Sequence, residues 1–162
     1  MVNNAGACIS KPFTDYTAAD YAAVVGVSLT GFFWLTQRAI GEMAVRYGGH
    51  LVNVIASLGE VADSGTPAVL AALAKGGLAA ATRSLAIEYA ALGIRVSALS
   101  SGITQTCMDS AGSSDCLSGR ASPLGHAAQV SDVVGRRFVP GVLALHHRRD
   151  PAHRRRPGRR SQ

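Results

Sequence analysis

A serine and a lysine bracket the most informative stretch of the chain. Ser57 follows the apolar, β-branched run Leu51-Val52-Asn53-Val54-Ile55-Ala56, and Lys75 lies early in the alanine-rich run after it. A strand–helix–strand unit would aim this hydroxyl and this amine at the same edge, where either could take part in chemistry. Each has a plainer alternative: Ser57 as a loop serine, Lys75 as a solvated helix lysine. Asn3, Asn4, Ala5 and Gly6 form a third polar group. Gly6 there suits a tight turn or a close backbone approach, and an ordinary polar turn is its alternative.

The elements that would position these groups follow from pattern. Leu51 to Ile55 is a continuous apolar run of the kind found in buried parallel strands. A loop containing Gly59, Gly65 and Pro67 leads to a helix expected from about Ala68 to Ala91, where alanine dominates. Gly93 ends it, and Ile94 to Ser100 reads as the next strand. Upstream, Thr17 with Asp20 three residues on resembles a capping box. It opens a helix expected to run unbroken to about Tyr47, with Val24, Val27, Phe32, Leu35, Ala39, Ile40 and Met43 near helical spacing. Gly48-Gly49 is expected to end that helix. Gly76-Gly77 predicts a close contact inside the later helix. Helices alternating with strands over short connections imply a parallel sheet with covering helices.

Bulk properties set the class. At 162 residues, 48% hydrophobic and 16% charged, the chain fits one buried domain. The net charge of +6 is uneven. Residues 1–133 carry seven Lys/Arg against nine Asp/Glu, and residues 134–162 carry nine Arg against Asp150 alone. A domain at 1–134 and an Arg/Pro-rich, irregular tail at 135–162 are therefore expected. The start Met1-Val2-Asn3-Asn4 has no basic or apolar leader pattern, and no run of about 18 uninterrupted apolar residues predicts a membrane span. Cys8, Cys107 and Cys116 lack metal-type spacing, and so do the histidines, so no metal site is expected. Reduced thiols and a cytoplasmic location are the default.

Taken in order, Asn3-Asn4-Ala5-Gly6, Val27-Ser28-Leu29-Thr30-Gly31-Phe32, Val52-Asn53-Val54-Ile55-Ala56-Ser57, Ala72-Leu73-Ala74-Lys75-Gly76-Gly77-Leu78 and Gly93-Ile94-Arg95-Val96 resemble the short-chain dehydrogenase/reductases. The resemblance covers residue 2 to about 134. It implies a partial Rossmann-like, doubly wound α/β sheet with covering helices. It also implies hydride transfer between an alcohol and a carbonyl with NAD or NADP. Ser57 would match the family's substrate-orienting serine and Lys75 its lysine, which acts on the catalytic phenol and the cofactor ribose. The asparagine that holds a proton-relay water would fall on Ser28. Asn3, Asn4, Ala5, Gly6, Lys75, Gly102 and Thr106 would line the cofactor.

The same resemblance marks departures. The catalytic tyrosine would fall four residues before Lys75, and that residue is Ala71. The Ser57–Ala71 separation is one residue longer than the family's usual one. The first strand and Gly-rich pyrophosphate turn would precede Val2, so the chain reads as truncated there and divergent at its C-terminal end. The expectation is an oxidoreductase of this type, impaired or inactive, acting on a small alcohol or carbonyl and dimerising through its two long helices. The alternatives are a non-catalytic remnant or interaction module, and non-specific nucleic-acid binding through the arginines of the tail. A solvated extension, or a GC-rich gene read out of frame, is the reading of the tail favoured over nucleic-acid binding.

Overall fold

The computed structural model describes residues 1–59, 67–102, 104, 129 and 131. Three parallel strands make its sheet: β1 (Val2–Asn3), β2 (Gly49–Ala56) and β3 (Ile94–Ser101), in that spatial order. Asn3 pairs with Asn53, and β2 runs beside β3 from Gly49 opposite Ile94 to Ala56 opposite Ser101. Parallel neighbours need crossovers, and helices supply them. Helix α1 (Ala18–Val25), a wide turn at Gly26–Thr30 and α2 (Gly31–Val45) join β1 to β2, while α3 (Val69–Glu88) leads to β3. The fold is thus the parallel sheet with covering helices that the pattern implied, and the partial Rossmann-like α/β arrangement that the resemblance implied.

Side chains alternate along a strand, so register decides which residues meet the helices. Leu51 and Ile94 pack with Ile40 of α2, beside Met43, Leu85 and Tyr89. Further along, Ile55 and Ala98 meet Leu78 and Ala79 of α3. A third cluster joins Val24 of α1 to Leu70 and Ala74 of α3, with Ala7 and Ile9 from the segment after β1. Leu29, in the wide turn, touches both of the latter clusters.

The capping box at Thr17 forms as expected. The Thr17 hydroxyl accepts from the Asp20 N–H at 3.1 Å, and Asp20 Oδ2 accepts from the Thr17 N–H at 2.9 Å. Lys11 Nζ adds an ion pair to the same carboxylate at 2.8 Å. The later helix also matches, although it ends at Glu88 and Ala90–Leu92 form a separate 3-10 turn.

Two expectations about the first helix are corrected. It is not one α-helix: at Gly26–Thr30 the pattern widens, and the Gly31 N–H reaches back five residues to the Gly26 carbonyl. Nor is its end made by Gly48-Gly49. Tyr47 takes the left-handed position, at φ 52°. The N–H groups of Tyr47 and Gly48 bond the Ala44 and Met43 carbonyls at 3.2 Å each, closing the orphan acceptors of the last turn. Gly49 instead starts β2, where any side chain would run into Met43.

By length and composition, the run Ala18–Val45 and α3 could each cross a bilayer. Both pack on the sheet here, with polar side chains buried between.

Candidate active site

The site lies at the C-terminal ends of the parallel strands, the edge where open α/β sheets place their ligands. Gly6 follows β1, Ser57 follows β2 and Gly102 follows β3. The segment after β1 is fixed by its own bonds. Tyr16 donates its hydroxyl proton to the Ile9 carbonyl at 2.7 Å, and the Pro67 carbonyl accepts from both the Lys11 N–H and the Ser10 hydroxyl at 3.0 Å. That double contact fastens the segment to the chain just before α3.

Three of the residues singled out in the sequence converge. Lys75 Nζ donates to the Val54 carbonyl at 2.8 Å. A Cβ built on Gly6 would stand 3.3 Å from Lys75 Nζ and 3.8 Å from Ser28 Oγ. Ser28 is buried, and its oxygen accepts the Ala7 N–H at 3.3 Å. Gly6, Ser28 and Lys75 therefore share one point at the strand ends. The wide turn sets the direction of Ser28, because it lies inside Gly26–Thr30.

Ser57 opens a 3-10 turn, Ser57–Gly59, and is half-buried. The turn is pressed onto α3: a Cβ on Gly59 would lie 2.8 Å from the Gly76 nitrogen and 3.0 Å from the Lys75 carbonyl carbon. Two glycines thus let the Ser57 turn rest on the backbone that carries Lys75. This is the close contact that Gly76-Gly77 predicted.

The other residues take varied places. Asn4 and Ala5 are exposed beside Gly6, and Gly102 is exposed beyond β3. Thr106 lies outside the described residues, as do Cys107, Cys116, the later histidines and the boundary at 134. Ala71 is buried one helical turn before Lys75. Asn3 turns away from the site. Its side-chain nitrogen donates to Thr36 Oγ1 at 2.9 Å and to Asn53 Oδ1 at 2.8 Å, so both hydrogens serve the sheet interior.

Electrostatics set Lys75 apart. Burial pushes its ammonium below the ordinary lysine value, while charge on the nearby Cys8 thiol pulls the other way. Sequence reasoning missed both the Val54 carbonyl and Cys8. A backbone acceptor leaves no mark in the sequence, and Cys8 carried no spacing to flag it.

The family described as enoyl-(acyl carrier protein) reductase matches residues 1–136. The chain belongs to the short-chain dehydrogenase/reductase family. It is 37% identical over 109 residues to oxidoreductase UcpA of Escherichia coli K12, a match covering 67% of this chain and 41% of that protein. It is 33% identical over 136 residues to cis-4-hydroxycyclohexanecarboxylate dehydrogenase of Sinomonas cyclohexanicum, covering 82% and 54%. Among solved structures, gluconate 5-dehydrogenase of Burkholderia cenocepacia, in complex with NADP and tartrate, superposes with a TM-score of 0.73 at 25% identity, covering 83% and 53%. An Agrobacterium tumefaciens protein described as a putative gluconate dehydrogenase gives 0.72 at 29% identity, covering 83% and 54%. The chain spans about half, or less, of the length of these relatives.

Proposed function

We propose that this chain carries the nucleotide-facing half of an NAD(P)-dependent alcohol/carbonyl oxidoreductase site, with proton transfer impaired. The convergence of Gly6, Ser28 and Lys75 at the strand ends carries this reading. The residues present fit a nucleotide on two counts. Gly6 leaves room that a side chain would fill beside Lys75, and no carboxylate ion-pairs with the lysine among the described residues. Lys75, with the backbone of Asn4 to Gly6 and Gly102, would hold the cofactor. When bound, the nicotinamide supplies or accepts the hydride.

The chain's own residues would do the rest. The Ser57 hydroxyl would orient the substrate oxygen, and the Lys75 ammonium would bind ribose hydroxyls. Alanine at 71 has no proton to give or take there. Water would have to substitute for the phenol, which predicts slow turnover. The substrate would be a small alcohol or carbonyl compound, in keeping with the dehydrogenases it resembles. A reducing, cytoplasmic setting is the one in which thiols without disulfide or metal spacing persist.

Apolar exposure supports association with a second copy. Trp34 on α2 is 61% exposed, and Leu73 and Ile87 on α3 are 58% and 83% exposed. Surface of this kind favours burial against a partner. It also supports a second reading, a non-catalytic module that is stable only in association. The nucleic-acid reading rests on the tail, outside the described residues.

Titration with NADH and with NADPH, followed by nicotinamide fluorescence, separates the first two. Saturable binding that weakens in Lys75→Met supports the oxidoreductase site. No binding of either nucleotide at millimolar concentration leaves the module.

A further inference from the structure

The stretch from Gly6 to Lys11 lies along the start of α3 and runs in the opposite direction. At one end a Cβ on Gly6 would stand 3.3 Å from Lys75 Nζ. In the middle, Ala7 and Ile9 pack against the cluster of Val24, Leu70 and Ala74. At the other end the Lys11 N–H and the Ser10 hydroxyl both reach the Pro67 carbonyl at 3.0 Å. One short segment therefore meets the helix at Lys75 and its approach at Pro67, eight residues earlier.

The segment is held independently of α3. Tyr16 donates to the Ile9 carbonyl at 2.7 Å, and Lys11 Nζ is ion-paired at 2.8 Å with Asp20, in the cap of α1. The start of α3 has less of its own to fix it. Ala68, at its N-cap, carries no side-chain oxygen for the first-turn N–H groups, and Pro67 has no N–H to give. The Pro67 carbonyl, held twice, ties that start to the segment. A helix rises about 1.5 Å per residue and moves as a rod over two turns, so a slip at Pro67 is carried to Lys75.

We propose that Ser10 is a positioning residue for Lys75. Its hydroxyl sets where α3 begins along the Gly6–Lys11 segment, and so where the Lys75 ammonium stands between Gly6 and the Val54 carbonyl, which accepts from it at 2.8 Å. Of the two bonds on Pro67, the one from Lys11 comes from the backbone and is the same for any side chain there. The hydroxyl is the part that depends on residue identity. Two donors from adjacent residues fix the carbonyl in direction as well as distance, whereas one leaves it free to swing. Ser10 acts through Pro67 and α3, without touching substrate or cofactor itself. Its effect on binding rests on Lys75 holding the nucleotide, but its effect on Lys75 does not.

The whole sequence holds two lysines, Lys11 and Lys75, which makes the test direct. In the full chain, isotope-labelled at lysine alone, the side-chain NMR signal of Lys75 reports its bond to the Val54 carbonyl. Ser10→Ala should shift or broaden that signal, and Ser10→Thr, which keeps the hydroxyl, should restore it. Affinity for NADH or NADPH should fall about three- to tenfold in Ser10→Ala, the worth of one hydrogen bond, and recover in Ser10→Thr. A Lys75 signal unchanged in Ser10→Ala overturns the proposal. So does a shift that Ser10→Thr leaves in place, or a shifted signal with the parent's affinity. Should the parent bind neither nucleotide, the proposed function fails, while the Lys75 signal in the free chain still decides for or against Ser10.

Discussion

Asn53 and Thr82 meet at 2.8 Å in the interior between β2 and α3, the asparagine amide donating to the threonine oxygen. The Thr82 hydroxyl passes its own proton to the Leu78 carbonyl at 2.7 Å, and Asn53 Oδ1 accepts from Asn3. With Thr36 beyond Asn3, a chain of polar groups runs from α2 through β1 and β2 to α3. Thr82→Val removes the acceptor and leaves an Asn53 hydrogen unpaired in a buried place. The expected loss is about 1–3 kcal/mol in urea denaturation. Thr82→Ser keeps the hydroxyl and should lose much less.

Gly59 predicts a second effect, on the site itself. Any β-carbon there would press on the backbone of Lys75 and Gly76, which cannot swing aside as a side chain can. Gly59→Ala should therefore destabilise by about 1–3 kcal/mol. It should also weaken nucleotide binding beyond what stability explains, because α3 must shift under Lys75. Unchanged melting and unchanged binding would show that the turn yields instead.

Asp20 sets a pH dependence. Hydrogen bonds from Lys11 and from the Thr17 backbone and side chain hold its carboxyl near pKa 2, below the ordinary 3.8. A depressed carboxylate stabilises the folded state above the ordinary value, and that stabilisation fades as pH falls through the folded value. The gap in melting temperature between the parent and Asp20→Asn should be full at pH 6. It should narrow below pH 4 and close near pH 2. A gap that stays constant across that range would mean the charge contributes nothing.

Tyr47 is 83% exposed and sits in the left-handed region that side chains resist. Tyr47→Gly should relieve that cost. Part of the gain is lost to the greater freedom of glycine in the unfolded chain, so the net stabilisation expected is about 0.5–1 kcal/mol. Thermal melts of the two proteins decide it.

Ala71→Tyr tests the proposed function at its weakest residue. With NADH or NADPH and a small carbonyl substrate, a phenol one turn before Lys75 should raise turnover by about 10²–10⁴. Lys75→Met in the same background should erase the gain. Cofactor binding with no gain in turnover would mean that buried position 71 does not present a phenol to the substrate.

Much of the frame was legible because it rests on local pattern. The β-branched runs gave β2 and β3, alanine content gave α3, and Thr17 with Asp20 gave the start of α1. Rarer backbone states carried no such signal. Tyr47 holds the left-handed position although two glycines follow it, since Gly49 is required where β2 passes Met43. The resemblance alone put Asn3 beside a cofactor, and nothing in the sequence showed where its side chain bonds. Its side-chain amide bonds Asn53, 50 residues on, across the register of β1 and β2. Ser28 and Lys75 could be placed on their helices, but their meeting over Gly6 depends on tertiary packing.

The wide turn at Gly26–Thr30 has a geometric consequence of its own. Val24, Ser28, Phe32, Thr36 and Ile40 all bury surface, and they recur every four residues. An α-helix turns once in about 3.6 residues, so such a series would wind steadily around a regular cylinder. One turn bonded at five-residue spacing lets the series drift less. The helix keeps a single seam toward its neighbours because its winding slackens once. Deleting one residue between Gly26 and Thr30 would tighten it, rotating α1 against α2 and carrying Val24 out of the core.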